Sequence, residues 1–424
     1  TAYEIRLSLV GSEMCIRDRT LSCGMPLILE TMSGVRSTSL SWLLPAGCIT
    51  DPDEREGVTP LLEELLLRGS GARDSRQEAD LFDSLGVLRD VEAGTYTMRL
   101  ALTCVGDRIM DVLGPIVDMA LRPRLEGEAL EPCRELCLQS IESLKDDPQQ
   151  RASLLARARH HPRPINRSGM GTMQGLEATT RHDLVMHWDR FARPAQSIFA
   201  VAGAINPDVI AARLESLLTG WRGSAPEVLE GADASRGYAH EQDDGGSQVQ
   251  IIVAYDAPAE SSPNSILEKL AVGVLSGGMS GRLFSEVREK RGLCYAVAAG
   301  YRGDKTFGGV SAYVGTTPER AQESLDVLRG ELERITTESG KVTVDEFHRS
   351  KVGLKSSLVF SGESTSARAG TLAADMRRLG KPRSLEEAAA EVERVSLDQL
   401  NAYLAKRELG RMTIQTLGPA ALKV

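Results

Sequence analysis

The sequence has no long apolar run, no paired cysteine motif and no surplus of positive charge. No stretch approaches the roughly 18 consecutive apolar residues that a membrane-spanning helix needs, so we expect no membrane span. The seven cysteines are scattered without a Cys-x-x-Cys pair, and we expect them to be small core residues. The net charge of −9 excludes a nucleic-acid partner, because no local cluster of Lys and Arg reverses it.

The six histidines also lack the spacing of metal-ligand pairs. His182 and His187 are five residues apart, whereas a spacing of four places two side chains on one helix face. His160 and His161 are adjacent and come directly before a proline, which predicts the end of a helix. The other two histidines stand alone, so the histidines predict no metal site.

Residues 1–19 are set aside from the fold prediction. The stretch 9–19 (LVGSEMCIRDR) is similar to a translated sequencing adapter, a recurrent contaminant of assembled genes. An adapter at this place would have replaced the natural N-terminus together with any signal peptide. Bacterial cytoplasm and periplasm therefore both stay open as compartments.

The length of the chain predicts two domains. Its 424 residues, 42% of them apolar, are too many for one ordinary core and favour two domains of about 200 residues each. We predict a first domain at residues 20–221 and a second at 248–424. Residues 222–247 between them are rich in Gly, Ala, Ser and Asp, a composition typical of a linker.

The same order of elements is predicted in both halves. Each half has a first strand, then helices, then a hairpin-like pair of strands, then further helices; the strand pairs fall at residues 87–103 and 294–314. A doubly wound parallel sheet would also alternate strands and helices, but the hairpin-like pairs favour antiparallel pairing. We therefore predict an α+β fold of two homologous halves, each an antiparallel sheet with helices packed on one face.

Residues 57–73 (GVTPLLEELLLRGSGAR) resemble the signature helix of the insulinase/pitrilysin family of zinc peptidases. In these inverted zincins, which include the mitochondrial processing peptidase, a His-x-x-Glu-His motif binds zinc through its histidines and polarises water through its glutamate. Here Pro60 and Glu64 stand at the histidine positions, and only the glutamate, Glu63, is retained. Proline has no donor atom, and one carboxylate does not replace two imidazoles.

The resemblance places the third zinc ligand of the family, a glutamate on a later helix, at Ser140 in residues 131–148 (EPCRELCLQSIESLKDDP). The apolar residues around it have helical spacing, so we expect them to form one buried stripe of ordinary core. The predicted stripe consists of Cys133, Leu136, Cys137, Ile141 and Leu144. All three metal positions have changed, and we expect no zinc in this chain.

Glu63 has a structural interpretation that is preferred to a catalytic one. A carboxylate near the start of a helix is stabilised by the helix dipole whether or not it takes part in chemistry. An acid/base pair of Glu63 and Glu64 is disfavoured, since adjacent helical residues diverge by about 100°. The edge strand that binds substrate in active members is altered as well, with residues 87–100 (VLRDVEAGTYTMRL) in its place. We do not expect the chain to hydrolyse peptides alone.

Residues 276–297 (SGGMSGRLFSEVREKRGLCYAV) closely resemble the second-half signature of the same family. This resemblance implies that Arg288 and Tyr295 are the pair that engages substrate across the chamber from the zinc, by donating hydrogen bonds to a carbonyl or an oxyanion. Alternatively, Arg288 is a solvated helix residue and Tyr295 only begins a strand; the complete signature favours substrate binding. Gly277 and Gly278 form either a lip over the chamber or a turn beside a helix, and both interpretations stay open.

The resemblance runs from about residue 20 to residue 417. It implies a non-catalytic, substrate-binding subunit that pairs with a homologous zinc-bearing subunit to degrade or process peptides. Zinc is then expected in the partner, and activity in a two-subunit metalloendopeptidase, as a heterodimer or as a homodimer. The alternative is a non-proteolytic structural protein of the same fold, like the core subunits of respiratory complexes.

Overall fold

The computed structural model describes residues 16–228, 231 and 233–424. Most of the adapter-like segment, residues 9–15, lies outside the described residues. Its last residues belong to Ile16–Thr20, an edge strand that pairs antiparallel with the strand that follows. No helix in the described part of the chain is both long enough and apolar enough to cross a membrane.

Strands and helices alternate along the chain much as the sequence predicted. The strands are β1 (Ile16–Thr20), β2 (Pro26–Thr31), β3 (Ser37–Leu44), β4 (Gly69–Ser70), β5 (Arg73–Asp74), β6 (Leu88–Ala93), β7 (Met98–Val105), β8 (Ile198–Gly203), β9 (Gly237–Gln242), β10 (Val249–Ala257), β11 (Cys294–Gly303), β12 (Gly308–Thr316) and β13 (Thr413–Gly418). The helices are α1 (Val58–Leu65), α2 (Ser75–Ser84), α3 (Ile109–Leu121), α4 (Gly127–Glu142), α5 (Pro148–His160), α6 (Met173–Ala178), α7 (Arg181–Phe191), α8 (Pro207–Leu217), α9 (Ser265–Ser276), α10 (Ala321–Arg334), α11 (Val344–Glu363), α12 (Thr365–Leu379), α13 (Leu385–Arg394) and α14 (Leu397–Leu404). A π-helical segment occupies Phe284–Glu289.

Two sheets organise the two halves, and their strand orders correspond except for β1, which has no counterpart in the second sheet. The first sheet has the order β1-β2-β8-β3-β7-β6 and the second has β11-β12-β10-β13-β9. Hairpin β6–β7 corresponds to β11–β12, β3 to β10, β8 to β13 and β2 to β9. The predicted α+β class and the two similar halves are confirmed.

Each sheet also contains one parallel pair, which the antiparallel prediction lacked. Strand β2 runs parallel to β8, and β9 runs parallel to β13. Strand β9 lies inside the segment 222–247 that was predicted to be a linker. Its side chains are mostly half-buried and polar, so the segment has no apolar alternation that would indicate a strand.

One face of each sheet packs against helices of its own half. In the first half, Trp42 on β3 and Phe199 on β8 are fully buried together with Leu61 on α1 and Leu113 on α3. Seven of the eight residues of β3 are buried, on both of its faces, which is typical of a strand with packed layers on either side. Other residues must therefore pack on the second face of the first sheet as well.

The second face of each sheet is covered by a helix from the opposite half. Helix α12 packs on β3 and β8 of the first sheet, and α5 packs on β10 and β13 of the second. Small residues make this close packing possible: Ala369 and Ala373 of α12 lie against Ala200, and Ala152 and Ala156 of α5 face β10 and β13. Helices were predicted on one face of each sheet. The structure adds a helix on the second face, and that helix comes from the opposite half in both cases.

Candidate functional site

The three positions that correspond to the zinc ligands of the family do not form a ligand set. Pro60 is buried in the first turn of α1 and has no donor atom. Glu64 lies 3.9 Å from the guanidinium of Arg68, one turn later on the chain. The hydroxyl of Ser140 donates to the carbonyl of Leu136 at 2.9 Å on an exposed face of α4. No group of three or more His, Cys, Asp or Glu among the described residues is placed to hold a metal ion, so zinc does not fit here.

Helix α4 buries a different stripe from the one that we predicted. Leu130, Cys133 and Cys137 are buried, whereas the side chain of Leu136 is 41% exposed. The prediction was wrong for Leu136, since the buried positions follow i, i+3 and i+7 from Leu130 on the face that meets α1. Burial, together with the nearby charge of Glu64, raises the pKa of Cys137 to about 12. This thiol therefore stays protonated at neutral pH and is a poor metal ligand.

The carboxylate of Glu63 is held against the end of β6. It accepts the backbone N–H of Ala93 at 3.2 Å. Burial raises the pKa of Glu63 to about 7, the Ala93 hydrogen bond opposes this shift, and the charges of Glu64 and Glu92 add to it. Glu63 lies in the second turn of α1, where the helix dipole has little effect. The helix-dipole interpretation was therefore wrong, and burial decides the charge of this residue.

Arg288 and Tyr295 both lie at the free edge of the second sheet. Arg288 is exposed on the π-helical segment, with its guanidinium 5.0 Å from the centre of the Phe284 ring. Tyr295 is 69% exposed near the start of edge strand β11. The pairing of β11 with β12 shifts register between Cys294 and Ala296, so Tyr295 occupies a β-bulge, a device that redirects a side chain.

The π-helical segment packs on β11, which places Arg288 and Tyr295 on neighbouring elements. Neither side chain has a carboxylate partner or a hydrogen-bond acceptor among the residues that the structure describes. The N–H groups of the guanidinium and the O–H group of the phenol are thus available to a ligand.

Arg282 anchors the start of this signature, and the sequence analysis did not single it out. Its buried guanidinium donates to the carboxylate of Glu346 at 2.7 and 2.8 Å and to the carbonyl of Gly340 at 2.7 Å. The contact joins the beginning of the π-helical segment to the first turn of α11. A single arginine in this segment gives only a weak sequence signal, because its partner Glu346 lies 64 residues away in the chain.

Gly277 and Gly278 form the turn after α9, beside the same edge strand. Gly278 has φ +124°, a backbone conformation that side chains rarely adopt, and no atom lies within 4 Å of a Cβ placed there. A Cβ on Gly277 would lie 2.3 Å from the carbonyl oxygen of Gly273. The hydroxyl of Ser276 accepts the N–H of Ala299 on β11 at 2.9 Å. The glycines thus serve as a turn tied to β11, and their role as a lip stays a prediction.

Sequence comparison supports the resemblance on which these positions were assigned. Residues 178–354 match the model of the peptidase M16 inactive domain. An uncharacterized zinc protease of Mycobacterium tuberculosis (strain ATCC 25618 / H37Rv) is 26% identical over 414 residues, which cover 96% of this chain and 94% of that protein. An uncharacterized zinc protease of Bacillus subtilis (strain 168) is 23% identical over 397 residues, covering 91% and 94%. The predicted resemblance to the insulinase/pitrilysin family is confirmed.

Solved structures share the fold over nearly the whole chain. A peptidase M16 inactive domain from Pseudomonas fluorescens superposes with a TM-score of 0.87 at 20% identity, covering 97% of this chain and 99% of that one. A chain of Complex III2 from Candida albicans superposes with a TM-score of 0.81 at 16% identity, covering 96% of each. At these identities the likeness concerns the fold alone.

Proposed function

Residues 178–354 match the peptidase M16 inactive domain, and the described residues include no usable set of zinc ligands; from this premise we propose that the chain is the substrate-binding, non-catalytic subunit of a two-subunit peptidase. Its partner would be a homologous chain with an intact zinc motif, and together the two would degrade or process peptides. The zinc of the partner would supply the activated water for peptide hydrolysis.

The observation that carries this proposal is the pair of unused donors at the edge of the second sheet. Arg288 and Tyr295 are exposed on neighbouring elements, while the first-half metal positions have lost their ligands. A chain that only had to fold would gain little from an arginine and a tyrosine without partners at a β-bulge. Their placement is explained if the acceptor for their hydrogen bonds belongs to a peptide.

The chemistry of the pair suits a peptide carbonyl. An extended peptide beside edge strand β11 would present its carbonyl oxygens at intervals of about 3.3 Å along the strand. The guanidinium of Arg288 and the phenol of Tyr295 would donate to one such oxygen. Both interactions strengthen as negative charge develops on that oxygen during hydrolysis, which stabilises the transition state. The contribution requires no metal in this chain.

The proposal is tested by mixing the purified chain with the homologue from the same genome that has an intact zinc motif. We expect peptide cleavage only in the mixture, with zinc bound by the partner. Arg288→Ala combined with Tyr295→Phe should lower kcat of the mixture by about 10²-fold, as removal of oxyanion donors does. Arg76→Ala, at a side chain that is 90% exposed on α2, serves as the matched control and should leave kcat unchanged.

Full activity of the double variant would contradict the proposal. The alternative, a non-proteolytic scaffold of the same fold, is favoured by the loss of the metal positions and by the shared fold with a chain of Complex III2. A stable complex that contains the zinc-bearing homologue and cleaves no peptide would support that alternative.

A further inference from the structure

A cavity of about 400 Å³ lies between the two halves, on the side of the exchanged helices. Its walls come from α5, from α12 and from the turns of the two corresponding hairpins, β6–β7 and β11–β12. The cavity is separate from the start of β11, where Arg288 and Tyr295 lie. Two groups of its lining residues were considered above: His160 and His161, which lack metal-ligand spacing, and several residues within 87–100, the altered edge strand. Neither group was assigned a function.

The lining of this cavity carries an excess of positive charge. It contains five arginines but only two carboxylates. Arg99 pairs with Glu92 at 2.8 Å, and Arg377 pairs with Asp304 at 3.0 Å. Both lining carboxylates are therefore already engaged by these two arginines, and three positive charges remain.

The three remaining arginines are Arg157 on α5, Arg302 on β11 and Arg378 on α12. None of them has a carboxylate within ion-pair distance in the described part of the chain. Arg157 donates to the hydroxyl of Thr95 at 2.8 Å and to the carbonyl of Ile165 at 3.0 Å, but its buried Nε has no acceptor among these residues. Three guanidinium groups thus line one cavity without a carboxylate partner among the described residues.

The positive charges of the arginines that line the cavity repel one another. Burial lowers the pKa of Arg157, and the charge of Arg302 lowers it further against the opposing effect of Cys48. Burial also lowers the pKa of Arg377, and Arg378 and Arg302 add to that shift. The neighbouring His160 and His161 are neutral at pH 7, since burial lowers the pKa of each to about 4. An anion in the cavity would relieve the repulsion among the guanidinium groups.

One wall of the cavity is aromatic. The ring of Phe307 lies 5.2 Å from the ring of His161 and 6.5 Å from the ring of Tyr96, measured between ring centres. The guanidinium of Arg377 lies 4.4 Å from the centre of the Tyr96 ring. A flat apolar group would pack on such a wall, with its charged end towards the arginines.

We propose that this cavity binds a small organic anion, with a carboxylate or phosphate held by Arg157, Arg302 and Arg378 and an apolar body packed on Phe307. Guanidinium groups match both oxyanions through paired N–H donors. The volume is in the range of sites for small ligands. The site is formed by this chain alone, so it does not depend on the proposed partner subunit.

The test is isothermal titration calorimetry, in which the full chain is titrated separately with N-acetyl-phenylalanine, phenyl phosphate and N-acetyl-phenylalaninamide. We expect the two acids to bind and the amide, which lacks the negative charge, to bind at least tenfold more weakly. A preference for N-acetyl-phenylalanine indicates the C-terminal carboxylate of a peptide, and a preference for phenyl phosphate indicates a phosphorylated small molecule. Arg302→Gln combined with Arg378→Gln should weaken binding of the preferred acid at least tenfold, while Arg76→Gln should not change it.

The two substituted arginines have no partners among the described residues and repel the neighbouring guanidinium groups, so their removal should not lower the melting temperature without ligand, which a thermal melt verifies. Arg157→Gln is a second variant with the same expected loss of binding. The proposal is overturned if neither acid binds, if the acids and the amide bind equally, or if the folded double variant binds like the parent.

Discussion

At the scale of single residues, the environment of Glu63 changes the behaviour that its sequence position suggests. The residue is the retained glutamate of the motif, and its carboxylate accepts a hydrogen bond from the backbone of β6. Burial raises its pKa from 4.5 to about 7. Near pH 7 the carboxyl of Glu63 is therefore partly protonated, whereas a carboxyl with a pKa of 4.5 would be ionised.

This raised pKa makes a pH-dependent prediction for Glu63→Gln. The folded state favours the protonated carboxyl. Glu63 therefore does not lower the free energy of unfolding below pH 4.5, and it lowers that free energy by the full amount above about pH 7. After allowance for partial solvent exposure, we expect the variant to be more stable than the parent by about 1–2 kcal/mol at pH 8 and equally stable at pH 4. Urea unfolding at both pH values measures the difference.

The control for this prediction is Glu135→Gln, at an exposed position of α4. It should change the free energy of unfolding by less than about 0.5 kcal/mol at both pH values. A stabilisation by Glu63→Gln of the same size at pH 4 and pH 8 would mean that the carboxyl does not titrate between them, contrary to the expected linkage.

At the scale of elements, the signature around Arg288 depends on a helix that the signature does not contain. Thr343 and Glu346 form a capping box at the start of α11, and the same Glu346 carboxylate binds Arg282. Although burial works in the opposite direction, the hydrogen bond from Arg282 and its charge help to lower the pKa of Glu346 to about 2. One carboxylate thus caps the start of α11 and positions the π-helical segment.

We therefore expect Glu346→Gln to destabilise the protein in a pH-dependent way. A lowered pKa in the folded state gives stability that is present above pH 4.5 and is lost as the pH falls towards 2. The substitution should cost about 1–3 kcal/mol at pH 7, and the cost should shrink below pH 4.5. Urea unfolding at pH 7 and pH 3.5 measures both values.

The matched control is Glu338→Gln, which breaks a pair with Lys341 at a glutamate side chain that is 85% exposed. This exposed pair should contribute less than about 1 kcal/mol at either pH. If the two substitutions cost the same, the contact of Glu346 with Arg282 has no special role in the stability of α11.

At the scale of the whole molecule, the exchanged helices make the two halves one packing unit. Helix α12 is joined to the first sheet by Arg368, whose guanidinium donates to the carboxylate of Glu30 at 2.6 Å, and both side chains are buried. The hydroxyl of Thr365 lies 2.8 Å from that of Ser39 on β3. Neither half therefore completes its sheet packing without a helix from the other.

We expect the chain to unfold in a single transition, because the loss of one half uncovers a sheet of the other. All three tryptophans, Trp42, Trp188 and Trp221, belong to the first half, whereas far-UV circular dichroism reports both halves. The two signals should give coincident urea curves. Separate curves, with fluorescence changing at a different urea concentration, would show that the halves unfold independently.

Arg368→Met should shift both curves together, since it leaves Glu30 buried without its partner. Breaking a buried ion pair from one side costs about 3–5 kcal/mol. Arg349→Met, at an exposed arginine of α11, should shift neither curve. A shift in the fluorescence curve alone would indicate that the contact stabilises only the first half.

Structural features that depend on residues close together in the chain could be predicted from the sequence, whereas features that depend on distant residues could not. The hairpins β6–β7 and β11–β12 were predicted at residues 87–103 and 294–314, close to their observed bounds, because local sequence patterns define them. The missing zinc ligands were also visible at Pro60 and Ser140, since a ligand set depends on residue type. Leu136 was placed wrongly because the neighbouring helix, and not the spacing alone, decides which face is buried.

The sequence by itself determined the two repeated halves, the lost metal positions and the retained pair Arg288 and Tyr295, all of which depend on residue type and on patterns within short segments. Only the tertiary structure decided that α5 and α12 exchange between the halves, that β9 completes the second sheet, and that arginines from three elements meet in one cavity. The physical reason is that these contacts join residues far apart in the chain, so no local pattern records them.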